Sequence, residues 1–331
     1  MTVTSSSQEM KLIKKLNLSE EEAAQLLKAL ATESSTGASA SSSASRTALV
    51  LTPRTPPNYT PPIPVDPTII PWGHAQIIAL ANTETSIKLG NHDDYQAGYY
   101  YPLDLSSVWE TTPLSLLTPP QRCLDLCAAP GGKSILAQTR LPPQLHIANE
   151  IHPKRLGILR HNLAHCGYKH LYTQRLRPDQ WATKTPACFD LILVDAPCSG
   201  QSLLAKNISN PGCFHSSTVN GNAKRQRGIL LNALQALAHG GHILYTTCTY
   251  SPEENEKNMA YLLKRHDHLQ ALEVPLLASF RSNLVDFPCY RLLPISGFGA
   301  GGFTCLLKDT RQPQKLPDLP EELLAWPVAI N

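Results

Sequence analysis

Apolar and polar positions change their rhythm along this chain, and the change divides it. Near the N-terminus, Leu16-Asn-Leu-Ser-Glu-Glu-Glu-Ala-Ala-Gln-Leu-Leu27 spaces its leucines as on one helical face. Ser19 stands as an N-cap with Glu22 three residues on, the pattern of a capping box. One short amphipathic helix is expected there, inside a flexible tail over residues 1–46. Ser34 to Ser45 is nearly all Ser, Ala, Thr and Gly, which reads as a linker. Residues 47–72 are proline-rich and read as extended. They open a lead-in region over 47–118, with three adjacent tyrosines, Tyr99, Tyr100 and Tyr101. Those rings are expected to pack rather than to form a stacking platform.

From Arg122 onward, short apolar runs alternate with stretches of helical period. Strands are expected at Arg122–Leu126, Gln144–Ala148, Leu171–Gln174, Leu191–Val194 and His242–Thr246. Helices are expected at Gly132–Thr139, Pro153–Cys166, Gln226–His239 and Pro252–Arg265. Strands separated by helices imply a mostly parallel sheet covered on both faces. Phe303–Leu307, after the glycine-rich turn Gly297–Gly302, reads as a late antiparallel strand. The main domain is placed at 119–310 and a C-terminal tail at 311–331. An open sheet of this kind binds ligands at the carboxyl ends of its strands, where Cys127, Asp195 and Cys248 stand.

Composition narrows the reading. A hydrophobic content of 42% over 331 residues supports a sizeable core, and a net charge of +3 is not that of a polycation. The charge is uneven, however. No acid lies between Asp195 and Glu253, while Lys206, Lys224, Arg225 and Arg227 do, a local positive surface with a cysteine near each end. The nine cysteines show no CxxC spacing and no signal peptide precedes them, so a reducing cytoplasm is expected rather than a disulfide framework. His161, His165 and Cys166 read as a polar helix face, and no metal is expected. No apolar run approaches the ~20 residues of a membrane span.

Leu124-Asp-Leu-Cys-Ala-Ala-Pro-Gly-Gly-Lys-Ser134 is a strand, a tight turn of small residues and a helix start. Gly131 and Gly132 allow close approach of a ligand, and the helix start offers free N–H groups. Gly132-Lys133-Ser134 completes the end of a P-loop, but Cys127 stands where its first glycine belongs. A dinucleotide fingerprint is also absent. The next strand ends at Asn149-Glu150, and an acid there is placed to hold ribose hydroxyls. Glu150 can alternatively serve the start of the helix opened by Pro153. A nucleoside with a small charged tail fits this loop, and S-adenosylmethionine is such a ligand.

Cys198, in Asp195-Ala-Pro-Cys-Ser-Gly200, and Cys248, in Thr246-Thr-Cys-Thr249, each follow an apolar run and precede a polar turn. Two thiols at neighbouring strand ends suit methyl transfer to carbon 5 of a pyrimidine. A thiolate adds to carbon 6, and a second group helps to undo the bond. They can instead be small buried hydrophobes. A helix opened by Ser251-Pro252-Glu253 is expected to help ionise Cys248. Asp195 is placed against the base, where a carboxyl kept protonated can stabilise charge on the ring.

Three segments together resemble the Nol/Nop/Sun family of RNA cytosine-5 methyltransferases, especially its bacterial ribosomal-RNA members. They are Asp125-Leu-Cys-Ala-Ala-Pro-Gly-Gly-Lys133, Asp195-Ala-Pro-Cys-Ser-Gly200 and Thr247-Cys-Thr-Tyr-Ser-Pro-Glu-Glu-Asn-Glu256, within a resemblance over roughly 96–308. The resemblance implies a Rossmann-like α/β fold with a mostly parallel seven-stranded sheet. It implies S-adenosylmethionine as cofactor and RNA as partner, ribosomal or transfer. It implies that Cys248 is the nucleophile and Cys198 assists product release. Cys127, Ala128, Ala129, Pro130, Gly131, Gly132 and Lys133 would wrap the methionine part of the cofactor, Glu150 its ribose, and Asp195 would lie beside cofactor and base. The adenine-binding acid falls near Gln174 and Asp179, either of which can fill the role. The family's entry-segment Gln is replaced by Leu103, and no complete accessory RNA-binding domain is visible. The lead-in 47–118 and the basic residues Lys206, Lys224, Arg225 and Arg227 are the remaining candidates for RNA contact. A non-catalytic RNA-binding or assembly protein on the same scaffold is the alternative.

Overall fold

The computed structural model describes residues 7–31, 46–66, 72–81 and 87–328. Two helices come first, α1 (Ser7–Leu16) and α2 (Glu20–Leu30). Only α2 was expected, and its capping box forms as the sequence predicts. The Glu22 amide donates to Ser19 Oγ at 3.2 Å and the Ser19 amide to Glu22 Oε2 at 2.8 Å. Residues 7–30 are not a free tail. Leu12, Ile13 and Leu16 of α1 and Leu26 and Leu30 of α2 are buried with Ala205, Tyr250 and Ala300 of the main domain. Each buried leucine or isoleucine contributes about 1.5–3 kcal/mol. The Ser-rich linker expected at Ser34–Ser45 lies outside the described residues.

The lead-in holds β1 (Thr47–Leu51), β2 (Ile77–Ala79), α3 (Asp93–Gln96), β3 (Tyr100–Asp104) and α4 (Leu105–Glu110). Residues 47–72 were expected to be extended, and β1 is, but it also pairs with β2 and β3 into an antiparallel sheet of order β2-β1-β3. Alternation explains this: Ala48 and Val50 of β1 pack with Ile77, Ala79 and Tyr101 onto Ile135 and Leu159 of the main domain. Tyr100 is fully buried and Tyr101 nearly so, hence packing residues.

The main domain runs β4 (Arg122–Asp125), α5 (Gly132–Arg140), β5 (Leu145–Asn149), α6 (Pro153–Cys166), β6 (Leu171–Gln174), α7 (Pro178–Lys184), β7 (Phe189–Asp195), α8 (Ser216–Ala236), β8 (Leu237–Thr247), α9 (Glu256–Leu263), β9 (Leu269–Ala271), β10 (Tyr290–Leu292) and β11 (Gly302–Asp309). Its sheet has the order β10-β11-β8-β7-β4-β5-β6, with β9 as an eighth strand beside β11. Strands β8, β7, β4, β5 and β6 are parallel, while β11 is antiparallel to β8, β9 and β10. The expected seven strands are thus joined by one that the three-residue run Leu269–Ala271 did not announce. Because β4 pairs with both β5 and β7, the strand order reverses there, and a crevice opens at their carboxyl ends.

Two helices differ in ways that matter for the site. α8 begins at Ser216 rather than Gln226, capped by His215 Nδ1, which accepts from the Ser217 amide at 3.3 Å. α9 begins at Glu256, so Thr249 to Asn255 separate Cys248 from any helix start. Residues 311–328 are also not a free tail. The Thr173 amide donates to Trp326 O at 3.0 Å, the Val328 amide to Leu171 O at 2.9 Å, and Leu323 is buried in the core.

Candidate active site

The loop after β4 is tied down from three sides. Asp125, fully buried at the strand's end, accepts from the Ser134 hydroxyl at 2.7 Å and from the Cys127 amide at 3.3 Å. Burial pushes Asp125 up to about 7, against those two donors. The Ala128 amide donates to Asn149 O at 2.8 Å. From α6, Arg155 donates to Ala129 O at 2.6 Å and Asn162 to Pro130 O at 2.8 Å. Gly131 has φ +123°, a conformation that side chains rarely adopt. The carbonyls of Ala129 and Pro130 are therefore turned toward α6; Cys127, Ala129 and Pro130 line the crevice, while Ala128 packs into the core and Gly131, Gly132 and Lys133 are not in the lining.

That crevice is a cavity of about 1030 Å³. Cys127, Ala129, Pro130, Glu150, Asp179, Asp195, Cys198, Arg225 and Cys248 are among the residues that line it. Glu150 is almost wholly buried, its carboxylate held by the His152 amide at 2.9 Å and by Arg155 at 3.3 Å. Glu150 steadies the turn before α6 and belongs to the cavity lining. Asp179 lies on the rim, exposed and paired with Arg177 at 2.8 Å. Gln174 is not part of this lining. Its amide nitrogen donates to Leu323 O at 2.8 Å and Glu322 O at 3.3 Å, which binds the C-terminal segment.

Asp195 closes β7 opposite Thr246 of β8, and the Thr246 hydroxyl donates to it at 2.9 Å. Its other oxygen lies 3.4 Å from Lys133 Nζ. Both oxygens thus face donors, the Thr246 hydroxyl and the Lys133 ammonium. Lys133, in the first turn of α5, also lies 2.5 Å from Glu110 Oε2. Burial pushes Glu110 up to about 8, with Lys133 opposing the rise. Burial also disfavours the Lys133 charge, but Asp195 and Glu110 outweigh it and raise its pKa. A Cβ on Gly302 would stand 2.0 Å from Glu110 Oε1, so that position requires glycine.

The two cysteines meet. Cys198 Sγ and Cys248 Sγ are 3.2 Å apart, both half-buried at the cavity wall. They are not equivalent. The bond between them raises the Cys198 pKa well above that of a free thiol, with burial adding to the rise. The same bond lowers that of Cys248, helped by the charges of Lys133 and Lys206 and opposed by burial and Asp195. Ionisation is therefore favoured at Cys248 over Cys198. The ammonium groups of Lys133 and Lys206, rather than a helix start, supply the positive charge near Cys248.

The Cys198 loop rests on Glu254, to which the sequence reading assigned no role. It is fully buried and accepts from the Ser199 amide (2.9 Å), the Ser199 hydroxyl (2.5 Å) and Gln226 Nε2 (2.8 Å). Gln226 also donates to Pro197 O at 3.0 Å. Asn210 donates to Ser199 O and Gly200 O at 2.8 and 2.9 Å.

The basic stretch divides. Lys206 pairs with Asp104 at 3.4 Å and acts on Cys248. Arg227 is turned aside, with Nε 2.7 Å from Asn258 Oδ1 and its guanidinium over the Tyr261 ring at 4.9 Å. Lys224 is exposed on α8, and Arg225 lines the cavity. His161 and His165 stack with centroids 6.2 Å apart, and among the described residues no group of three metal-binding side chains occurs. Among those residues, too, no helix is long and apolar enough to cross a membrane.

Comparison with known proteins places this geometry. Residues 115–308 match the family model described as 16S rRNA methyltransferase RsmB/F. A ribosomal RNA small subunit methyltransferase F of Klebsiella pneumoniae is 29% identical over 221 residues, 66% of this chain and 46% of that protein. The protein of the same name from Citrobacter koseri is 32% identical over 200 residues, 59% of this chain and 41% of its own. The chain spans less than half the length of these relatives. Among solved structures, NSun6 of Pyrococcus horikoshii with SFG superposes with TM-score 0.60 at 23% identity, covering 68% of this chain and 57% of its own. A methyltransferase homologue from the same organism gives 0.64 at 19%, covering 92% and 100%. These likenesses establish the Rossmann-like methyltransferase fold. With more than half its length matched, the chain belongs to the 16S rRNA methyltransferase RsmB/F family.

Proposed function

We propose that this protein methylates carbon 5 of cytosine in RNA, with S-adenosylmethionine as donor. The observation that carries the reading is the thiol pair at 3.2 Å on the wall of the cavity that the β4–α5 loop also lines. Ribosomal RNA is the favoured substrate, since the relatives are named for it. The residues suit the cofactor. The small side chains of Cys127, Ala129 and Pro130 leave space, Glu150 presents a carboxylate for ribose hydroxyls, and Asp179 stands on the rim for the adenine amine. A volume near 1030 Å³ is at the upper end for ligand sites and admits a cofactor together with a base. When bound, S-adenosylmethionine supplies an electrophilic methyl group.

The chain's own residues do the rest. Cytosine carbon 5 is too weak a nucleophile alone. Cys248 adds to carbon 6 and makes carbon 5 enamine-like, with Lys133 and Lys206 favouring the thiolate. Asp195, held by Thr246 and Lys133, faces the ring edge. After methylation the carbon-5 proton passes to solvent, its bonding pair restores the double bond, and Cys248 departs as thiolate, accepting a hydrogen bond from the Cys198 thiol. Cys198, beside the adduct sulfur, serves this elimination. The base must be unpaired or flipped, because carbon 6 is shielded within a stack.

The test separates the two sulfurs. Cys198→Ala should accumulate a covalent RNA–protein adduct, seen as a retarded band in denaturing gels. Cys248→Ala should give neither adduct nor methylation. Full activity of Cys248→Ala would sink the reading. Bisulfite sequencing of RNA from cells with and without the protein identifies the target. A non-catalytic scaffold role would instead leave total RNA methylation unchanged.

A further inference from the structure

A second cavity, of about 180 Å³, lies between α1 and the start of α8. Its floor belongs to the catalytic loops. Gln201 follows Cys198 by three residues and Ser251 follows Cys248 by three, and Gln201 Nε2 lies 3.2 Å from Ser251 Oγ. Three residues reach at most roughly 11 Å, so this floor is close to both thiols. Gln201 also accepts from the Tyr250 amide at 3.0 Å and donates to Cys213 O at 3.1 Å, so the floor is rigid.

The walls differ from those of the large cavity. Phe214 is half-buried and presents an aromatic side chain. Gln8 on α1 and Asn220 on α8 bring amide groups, and Lys11 brings an exposed ammonium. Among the described residues none of these three polar groups has a hydrogen-bond or ion-pair partner. Glu253, an acid on the rim, is neutralised by Lys15 at 2.8 Å and Lys257 at 3.1 Å. An aromatic wall, amides able to read a base edge and a cation on the rim make up the chemistry of a nucleotide subsite.

We propose that this groove holds an unpaired nucleotide of the substrate RNA flanking the target cytosine, its base against Phe214 and its phosphate toward Lys11. The inference rests on the RNA reading above and adds to it. It gives α1 a function, because it builds one wall of a substrate site on the main domain. RNA is favoured over a protein segment because the rim carries an unneutralised cation and the volume suits one base rather than a helix.

The test uses the full chain, a single-stranded RNA decamer with one central cytidine, and fluorescence anisotropy across a salt series. Lys11→Glu should weaken RNA binding about tenfold and reduce the salt slope by about one counterion. Phe214→Leu should weaken it at least about fivefold, as expected for a lost base stack. S-adenosylmethionine binding, followed by calorimetry, should match the wild type in both, which also reports on folding. Unchanged RNA affinity in Lys11→Glu and Phe214→Leu overturns the groove while leaving the methylation reading intact. RNA binding that depends on Lys11 in a protein that never methylates overturns the methylation reading and leaves the groove. Absence of any RNA binding by the wild type removes both.

Discussion

Cys198 and Cys248 sit 3.2 Å apart at the ends of adjacent parallel strands, and the bond between them moves their pKa values in opposite directions. Fifty residues of chain separate them, so only the sheet brings them together. Cys248 is the sulfur whose thiolate is favoured.

Alkylation measures this directly. Iodoacetamide should modify Cys248 with a pH midpoint below that of an ordinary thiol, near ~8.5. Cys198→Ala removes the largest favourable cause and should shift the midpoint upward. Lys133→Met should shift it the same way. An unchanged midpoint in Cys198→Ala would show that the sulfur–sulfur bond does not set the ionisation.

Glu110 gives a pH dependence with a definite sign. Its pKa is raised from the usual glutamic value to about 8 on folding, so the folded chain binds this proton more tightly. The stability this contributes is complete below the unfolded value and is lost as pH rises through about 8. Glu110→Gln removes the titration. The Tm of the variant should gain on that of the wild type between about pH 6 and pH 9. A constant difference would mean that Glu110 titrates alike in both states.

Removing Glu254 should be costly. Glu254→Ala leaves the Ser199 amide, the Ser199 hydroxyl and Gln226 without their acceptor. Buried unsatisfied donors cost about 1–3 kcal/mol each, so urea denaturation should register a loss of about 3 kcal/mol or more. Glu254→Gln retains one acceptor oxygen and should lose less. Equal losses would indicate that charge rather than acceptor geometry matters there.

Ser19→Ala tests the attachment of the N-terminal helices. Loss of the cap should cost about 1 kcal/mol. The cost should appear as faster amide exchange in α2, with exchange in β4 and β7 unchanged.

The parallel strands, the loop after β4 and the cysteine constellation were legible in the sequence because each is local. Apolar runs mark strands, and Gly131 and Gly132 mark the turn between β4 and α5. Glu110 was not legible. It sits in α4 without a basic partner nearby in sequence, and its partner Lys133 arrives through the packing of α4 beside α5. The run Pro252–Glu256 misled for a related reason. It has the composition of an exposed helix start, yet Glu254 and Glu256 are buried, the first under the Cys198 loop and the second against Arg291 at 2.5 Å. Burial of a charged group depends on a distant partner, which periodicity does not record. Gln174 and Arg227 fell to the same limit, since their partners Leu323 and Asn258 are distant in sequence.

The pairing of Trp326 and Val328 with β6 bears on how the molecule avoids others of its kind. β6 ends the order of the large sheet on one side. Its outward amides and carbonyls would otherwise form a ready template for another chain. The segment across Leu171–Thr173 occupies part of that template, and Arg160 stacks on Trp326 at 4.9 Å. Shortening the chain before Pro320 would uncover a strand edge and the apolar surface around Leu323 together. The first symptom would be self-association rather than loss of the thiol pair, which lies at the central strands β7 and β8.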